Sequence, residues 1–305
     1  MRASMICSFM PDKILFRHKV EHRLFTLGVW LANHVPARWI DGLSAALWRL
    51  VAPRLHRHRR AMKNLEAAMP ELSALERAAL LDRMWDNLGR TAIEAVALQQ
   101  IADDPHAVTY NFSDDVLAIM QSEQPAIFVG LHAGNWEVPA IAAERFGKPL
   151  MGVYQKILNP LVDEDVHQLR AHFYKGGLYS KGLETITKVR RGLSQGYSVA
   201  IMADLRDSHG VFVDFFQLPT SVTTFPALLS RLYNTPIVAI RAIRTDCRKF
   251  RIDAVRLDLQ RLPSRDDEIL ETTRRIQNQF ERWIREEPSL WLWGHRRWNL
   301  DALKK

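Results

Sequence analysis

From residue 125 onward, short apolar runs alternate with amphipathic helical segments, and this alternation restricts the possible folds more than any other feature of the chain. Residues 126–131, 150–154, 197–203, 236–241 and 251–255 read as strands, with a further apolar run at 211–215. Residues 136–145, 162–173, 186–193, 224–233 and about 266–285 read as helices. Strands separated by helices are joined by crossovers, so the spacing predicts an α/β fold with a mostly parallel central sheet flanked by helices. Functional residues in such sheets collect at the carboxyl ends of strands. His132 and Asp204 each fall just past such an end, which lets them share one crevice.

Upstream, residues 59–101 have helical periodicity broken at Pro70, and Ser73 with Glu76 forms a capping box for the second helix. This part reads as scaffold, and Trp85 and Asn87 need no role beyond packing. The first seventy residues hold twelve lysines and arginines against four acids, which accounts for the whole net charge of +8. Basic residues interleave there with apolar stretches at 24–35 and 43–52, a mixture that suits an anionic membrane surface better than nucleic acid. Neither stretch reaches the roughly 20 residues of a membrane span, so both read as interfacial helices. The basic run at 54–63 and the pair Arg296 and Arg297, flanked by Trp293 and Trp298, read as further anion-facing surface. The expected organisation is a membrane-associating helical region over 1–60 followed by one α/β domain over 61–305. Cys7 and Cys247 are the only cysteines, so no disulfide framework is implied and a reducing cytoplasm is the natural compartment.

The sequence His132-Ala-Gly-Asn-Trp-Glu137 follows directly on the apolar run at 126–131. On one continuous helix these two residues would lie roughly 140° apart. Gly134 and Asn135 remove that obstacle, because Asn135 is a good N-cap and lets a helix begin with Glu137 in its first turn, folded back toward the imidazole. A carboxylate there would fix the histidine tautomer and leave the other ring nitrogen to take a proton from a hydroxyl. The alternative is a histidine beside a helix cap, with Glu137 favouring the helix dipole. Gly192-Leu-Ser194-Gln-Gly196 matches the serine nucleophile elbow in letters only, since a helix precedes Ser194 and a strand follows it, the reverse of what the elbow needs. Asp163, Glu164 and Asp165 begin a helix, and His167 and His172 lack ligand spacing, so no metal is expected.

These residues resemble the His-x4-Asp/Glu motif of the lysophospholipid acyltransferase superfamily, and within it the late acyltransferases of lipid A biosynthesis. The likeness runs through most of the chain. Lys63-Asn64-Leu65 with Met69-Pro70-Glu71-Leu72 is similar to an upstream block, followed by Gly89-Arg90-Thr91 and Glu94. Tyr154, Lys156, Asn159-Pro160 and Arg170 resemble a second, Asp204 a third, and Trp291 to Trp298 the closing His-Arg-Arg-Trp signature. Leu205 replaces the usual Gln after Asp204, Gln217 stands where Gly is frequent, and the amino-terminal region is short and polar for a single-span anchor.

The resemblance implies a glycerolipid-acyltransferase-like fold. It implies an enzyme that moves an acyl chain from a thioester on acyl carrier protein, or from acyl-CoA, to a hydroxyl of a lipid A precursor at the cytoplasmic face of the inner membrane. His132 would be the base and Glu137 its orienting group, with no acyl-enzyme and no cofactor. Asn135, Tyr154, Lys156, Asn159, Arg170, Asp204, Arg296 and Arg297 would bind substrate. Asp204 would hold Arg170 or a substrate hydroxyl, and amides near Gly134 or the Arg170 cation would receive the thioester oxyanion. The alternatives are an acyltransferase for another lysolipid or glycolipid, and a catalytically silent membrane-binding protein on the same scaffold.

Overall fold

The structure, a computed structural model, describes residues 14–300, so Cys7 and the first part of the basic amino-terminal region lie outside the described residues. Five helices come first: α1 (Phe16–His34), α2 (Ala37–Val51), α3 (His56–Ala68), α4 (Ala74–Val96) and α5 (Leu98–Asp103). The sheet and its covering helices follow as β1 (Val108–Phe112), α6 (Asp114–Gln121), β2 (Ile127–Gly130), α7 (Pro139–Arg145), β3 (Leu150–Tyr154), α8 (Pro160–Ala171), β4 (Gly177–Ser180), α9 (Leu183–Ser194) and β5 (Ser198–Met202). A hairpin of β6 (Arg206–Phe215) and β7 (Leu218–Val222) leads to α10 (Phe225–Tyr233), β8 (Ile237–Asp246), β9 (Lys249–Arg256) and α11 (Arg265–Glu286).

Seven strands form one sheet in the order β1-β9-β8-β2-β5-β3-β4, parallel from β8 through β4, with the β9 and β1 pair running the other way. The central strands are apolar on both faces, as burial beneath helices on both sides requires. Ile127 and Val129 pack into one core with Val199, Trp85 and Phe280, while Phe128 and Val238 join a second core with Ile141 and Val116. The capping box of Ser73 and Glu76 opens α4, and the Gly192–Gly196 segment is a helix-to-strand turn in which the Ser194 hydroxyl donates to the Arg191 carbonyl. Strands β1 and β4 at the sheet edges and β7 with Pro219 escaped sequence reading; each is short and lacks a sustained apolar run.

The amino-terminal helices are seated on the α/β body. Helix α2 crosses α4 so closely that a Cβ at Gly89 would lie 2.6 Å from the Ala45 Cα, and the Ser44 hydroxyl donates to the Gly89 carbonyl. Buried Asp41 accepts from Arg248, and the Asn159 side chain ties α8 to the His18 carbonyl and Glu21 on α1. The opposite faces stay open to solvent. Phe16, Val20, Leu24 and Leu27 form a stripe on α1, and Trp39, Leu43, Leu47 and Leu50 form one on α2. Among the described residues no helix is long and apolar enough to cross a membrane.

Candidate active site

Register places the two central residues. Gly130 on β2 pairs with Met202 on β5, so the residues two further along each chain, His132 and Asp204, leave the sheet side by side. The His132 amide donates to Asp204 Oδ2 at 2.9 Å, and His132 Nδ1 lies 2.8 Å from Oδ1. The Trp291 indole N–H donates to Oδ2 as well, at 2.9 Å. Asp204 is fully buried. Burial alone would raise its pKa, but His132, then His295, hold it well below the usual carboxylate range. Burial likewise opposes protonation of His132, yet Asp204 and, secondarily, Glu137 lift its pKa above the ordinary imidazole value. A carboxylate on Nδ1 puts the proton there and leaves Nε2 as the basic nitrogen.

Glu137 therefore does not occupy the place the sequence suggested. Helix α7 begins only at Pro139, and Glu137 sits in the preceding turn, its amide donating to Asn135 Oδ1 at 3.1 Å. Its carboxylate takes Arg170 Nη2 at 2.5 Å. Arg170 thus pairs with Glu137 and not with Asp204. The loop itself admits only glycine at 134: φ is +61°, and a Cβ would meet the Ala242 carbonyl oxygen at 1.9 Å.

The other expected ligand residues divide. Tyr154 and Arg170 line a large cavity with His132 and Glu137, and the Tyr154 hydroxyl lies 3.3 Å from Asp163. Lys156 is exposed on the loop after β3. Asn135 is buried and donates to Glu94, and Asn159 caps α8, so both are framework. Arg296 is exposed, whereas Arg297 is wholly buried and donates to the Asp204 carbonyl oxygen at 2.7 Å and to Gln277. Trp293 and Trp298 are core residues and not interfacial ones. The amides expected to meet an oxyanion near Gly134 are committed: Ala133, Gly134 and Asn135 donate to the carbonyls of Leu131, Leu290 and Ala242.

Sequence reasoning assigned Asn87, Thr91 and Glu94 no part in supporting this loop. Asn87 and Thr91 on α4 both donate to the Gly134 carbonyl, and Glu94, one turn further, accepts from Asn135 and Arg244. Polar residues at 87, 91 and 94 recur at helical spacing on an otherwise apolar face, a signal that was readable. The carboxyl-terminal segment clamps the same loop from the other side, through the Leu292 amide on the His132 carbonyl and through Trp291 on Asp204. His295 packs with its ring centroid 4.9 Å from that of His132; burial, then His132, push its pKa down to about 4, so it is neutral at physiological pH.

The cavity measures about 1020 Å³, at the upper end of the roughly 300–1,000 Å³ usual for ligand sites. Its floor is one face of the sheet. Phe128, Ala200, Gly152 and Leu178 form a row across four strands, with Gly130 and Met202 in the next row toward the strand ends. Gly130, Gly152 and Ala200 add little bulk to this floor, with Leu178 and Tyr174 packed over Gly152 and the Met202 sulfur over Gly130, and Met120, Ala140 and Ala143 on the covering helices wall the cavity. At the mouth the lining turns polar, with Lys181, Arg206, Asp207, Ser208 and His209.

His132, backed by buried Asp204, lines a large and mainly apolar cavity, an arrangement that suits acyl transfer. The chain belongs to the bacterial lipid A biosynthesis acyltransferase family, whose profile matches residues 10–300. It is 27% identical over 271 residues to lipid A biosynthesis acyltransferase 1 of Shigella flexneri, covering 85% of this chain and 80% of that protein. It is 26% identical to the lipid A biosynthesis myristoyltransferase of Escherichia coli (strain K12), with the same coverage. The lipid A biosynthesis lauroyltransferase of that strain is also 26% identical, over 88% of both chains.

Proposed function

We propose that this protein transfers a fatty acyl chain from an acyl carrier protein thioester to a free hydroxyl of a lipid A precursor, as a late acylation step. The observation that carries the reading is that His132, held by the buried Asp204 behind it, lines the 1020 Å³ cavity. The acyl chain lies in the apolar part of the cavity over Gly152 and Ala200, its thioester carbonyl at the mouth. His132 Nε2 takes the proton of the acceptor hydroxyl while Asp204 stabilises the imidazolium. The alkoxide attacks the thioester carbonyl directly, the oxyanion faces Arg170, and collapse expels the thiolate, which recovers the proton from His132. The thioester is a co-substrate, and the scheme needs no cofactor.

Incubating the purified protein with an acyl carrier protein thioester and a lipid A precursor should add the mass of one acyl chain to the lipid, read by mass spectrometry. Acylation of a lysophospholipid in place of the lipid A precursor would overturn the acceptor assignment.

The enzyme works at the cytoplasmic face of the inner membrane, lying on it through the exposed stripes of α1 and α2 with Arg17, Lys19, Arg23 and Arg38 beside them. Each apolar side chain taken out of water contributes about 1.5–3 kcal/mol. Leu24→Asp combined with Leu47→Asp should therefore reduce co-sedimentation with anionic vesicles at least ~10-fold without changing the melting temperature. Unchanged sedimentation would remove these stripes from the membrane contact.

A further inference from the structure

Beyond the cavity, one cationic cluster adjoins the site without a counter-charge. Arg57 and Arg60 stand one turn apart on α3, on the same face. Arg60 Nη1 donates to the Gly294 carbonyl at 3.2 Å, and a Cβ on Gly294 would lie 3.7 Å from Arg57 Cβ, so the strap bearing exposed Arg296 runs directly over this face. Among the described residues no carboxylate pairs with Arg57, Arg60 or Arg296, whereas the largely buried Arg244 and Arg248 are matched to Glu94 and Asp41. Helix α3 also starts without a side-chain cap, which leaves its first amides directed at the same end as Arg57. The three cations feel one another: burial, then Arg296 and Arg57, lower the Arg60 pKa. Arg57 and Arg60 act electrostatically on His295, whose ring touches that of the His132 base.

We propose that Arg57, Arg60 and Arg296 form a phosphate-binding site that anchors a phosphate monoester of the acceptor lipid beside His132. Three convergent guanidinium groups match the charge and the several acceptor oxygens of a phosphate dianion better than those of a single carboxylate. The site explains why a cluster of like charges is kept next to the base, where it costs stability when empty. It also gives the acceptor a grip separate from the cavity that holds the acyl chain. This inference rests on the reading of the acceptor as a lipid A precursor.

The test is the double variant Arg57→Gln with Arg296→Gln, both exposed positions, with Arg60 kept because it supports Gly294. KM for the phosphorylated acceptor should rise about 10- to 100-fold, the loss expected for one or two charge-assisted hydrogen bonds, with kcat little changed. With the acceptor stripped of its phosphate by a phosphatase, wild type and variant should show equal KM. Inorganic phosphate should raise the melting temperature of the wild type above that in chloride at equal ionic strength, and not that of the variant. The proposal is overturned by an unchanged KM, by a KM shift that persists on the dephosphorylated lipid, or by one that appears only for the thioester donor. Absence of a phosphate effect on wild-type melting also overturns it. Wild-type protein that binds phosphate yet acylates no lipid A precursor would instead sink the functional reading and leave the anion site standing.

Discussion

Asp204→Asn is expected to lower kcat by about 10³- to 10⁴-fold, close to the floor set by His132→Ala, while the protein keeps its fold. The reason lies in the orientation the new amide must take. The His132 amide and the Trp291 indole N–H both converge on Oδ2, so that position has to remain an acceptor oxygen. The NH₂ group then faces His132 Nδ1 where Oδ1 was. A donor there requires Nδ1 to accept, which moves the ring proton to Nε2 and removes the lone pair that deprotonates the hydroxyl. In enzymes where a buried aspartate orients a histidine base, this same change costs about 10⁴-fold. Steady-state turnover and a thermal melt decide the matter. A variant that retains a tenth of wild-type kcat would show that Asp204 does not set the tautomer.

That result would also explain what the sequence concealed. Apart from β4 and β7, the order of strands and helices was legible from residue 125 because the central strands are apolar on both faces and the helices keep a 3.6-residue period. His132 was legible because a histidine after a buried strand, before Gly-Asn, has few structural uses. Its partner was harder to assign, because a carboxylate five residues away is visible in a line of text and one seventy-two residues away is not. The deciding quantity is the register of β2 on β5, which pairs Gly130 with Met202 and so sets His132 opposite Asp204. Sequence placed both residues past strand ends, but strand adjacency and register depend on which apolar faces meet. The mistaken surface role of Arg297 has a similar origin. A guanidinium is buried only when carbonyls and side chains converge on it, and Asp204 and Gln277 come from distant parts of the chain.

Arg170 carries the second large expectation. With the amides of Ala133, Gly134 and Asn135 all committed to backbone carbonyls, the proposed oxyanion contact falls to Arg170, which lines the cavity together with His132. One well-placed donor contributes about 2.7–4 kcal/mol, so Arg170→Gln should lower kcat by about 10²- to 10³-fold. The pH profile separates this role from a merely structural one. Arg170 opposes protonation of His132, while Glu137 favours it. Removing Arg170 exposes His132 to an unneutralised carboxylate, raises its pKa further, and should move the acid limb of kcat/KM to higher pH, since the base must be neutral to act. Glu137→Gln deletes the opposing influence, so its acid limb should move to lower pH, with a loss of kcat smaller than that of Asp204→Asn. If Glu137 fixed the histidine tautomer, Glu137→Gln would instead be as inactive as Asp204→Asn at every pH. Opposite displacements in the two single variants, and a double variant costing less than the sum of the two, would place Glu137 as the residue that holds Arg170 and Arg170 as the group that meets the charge.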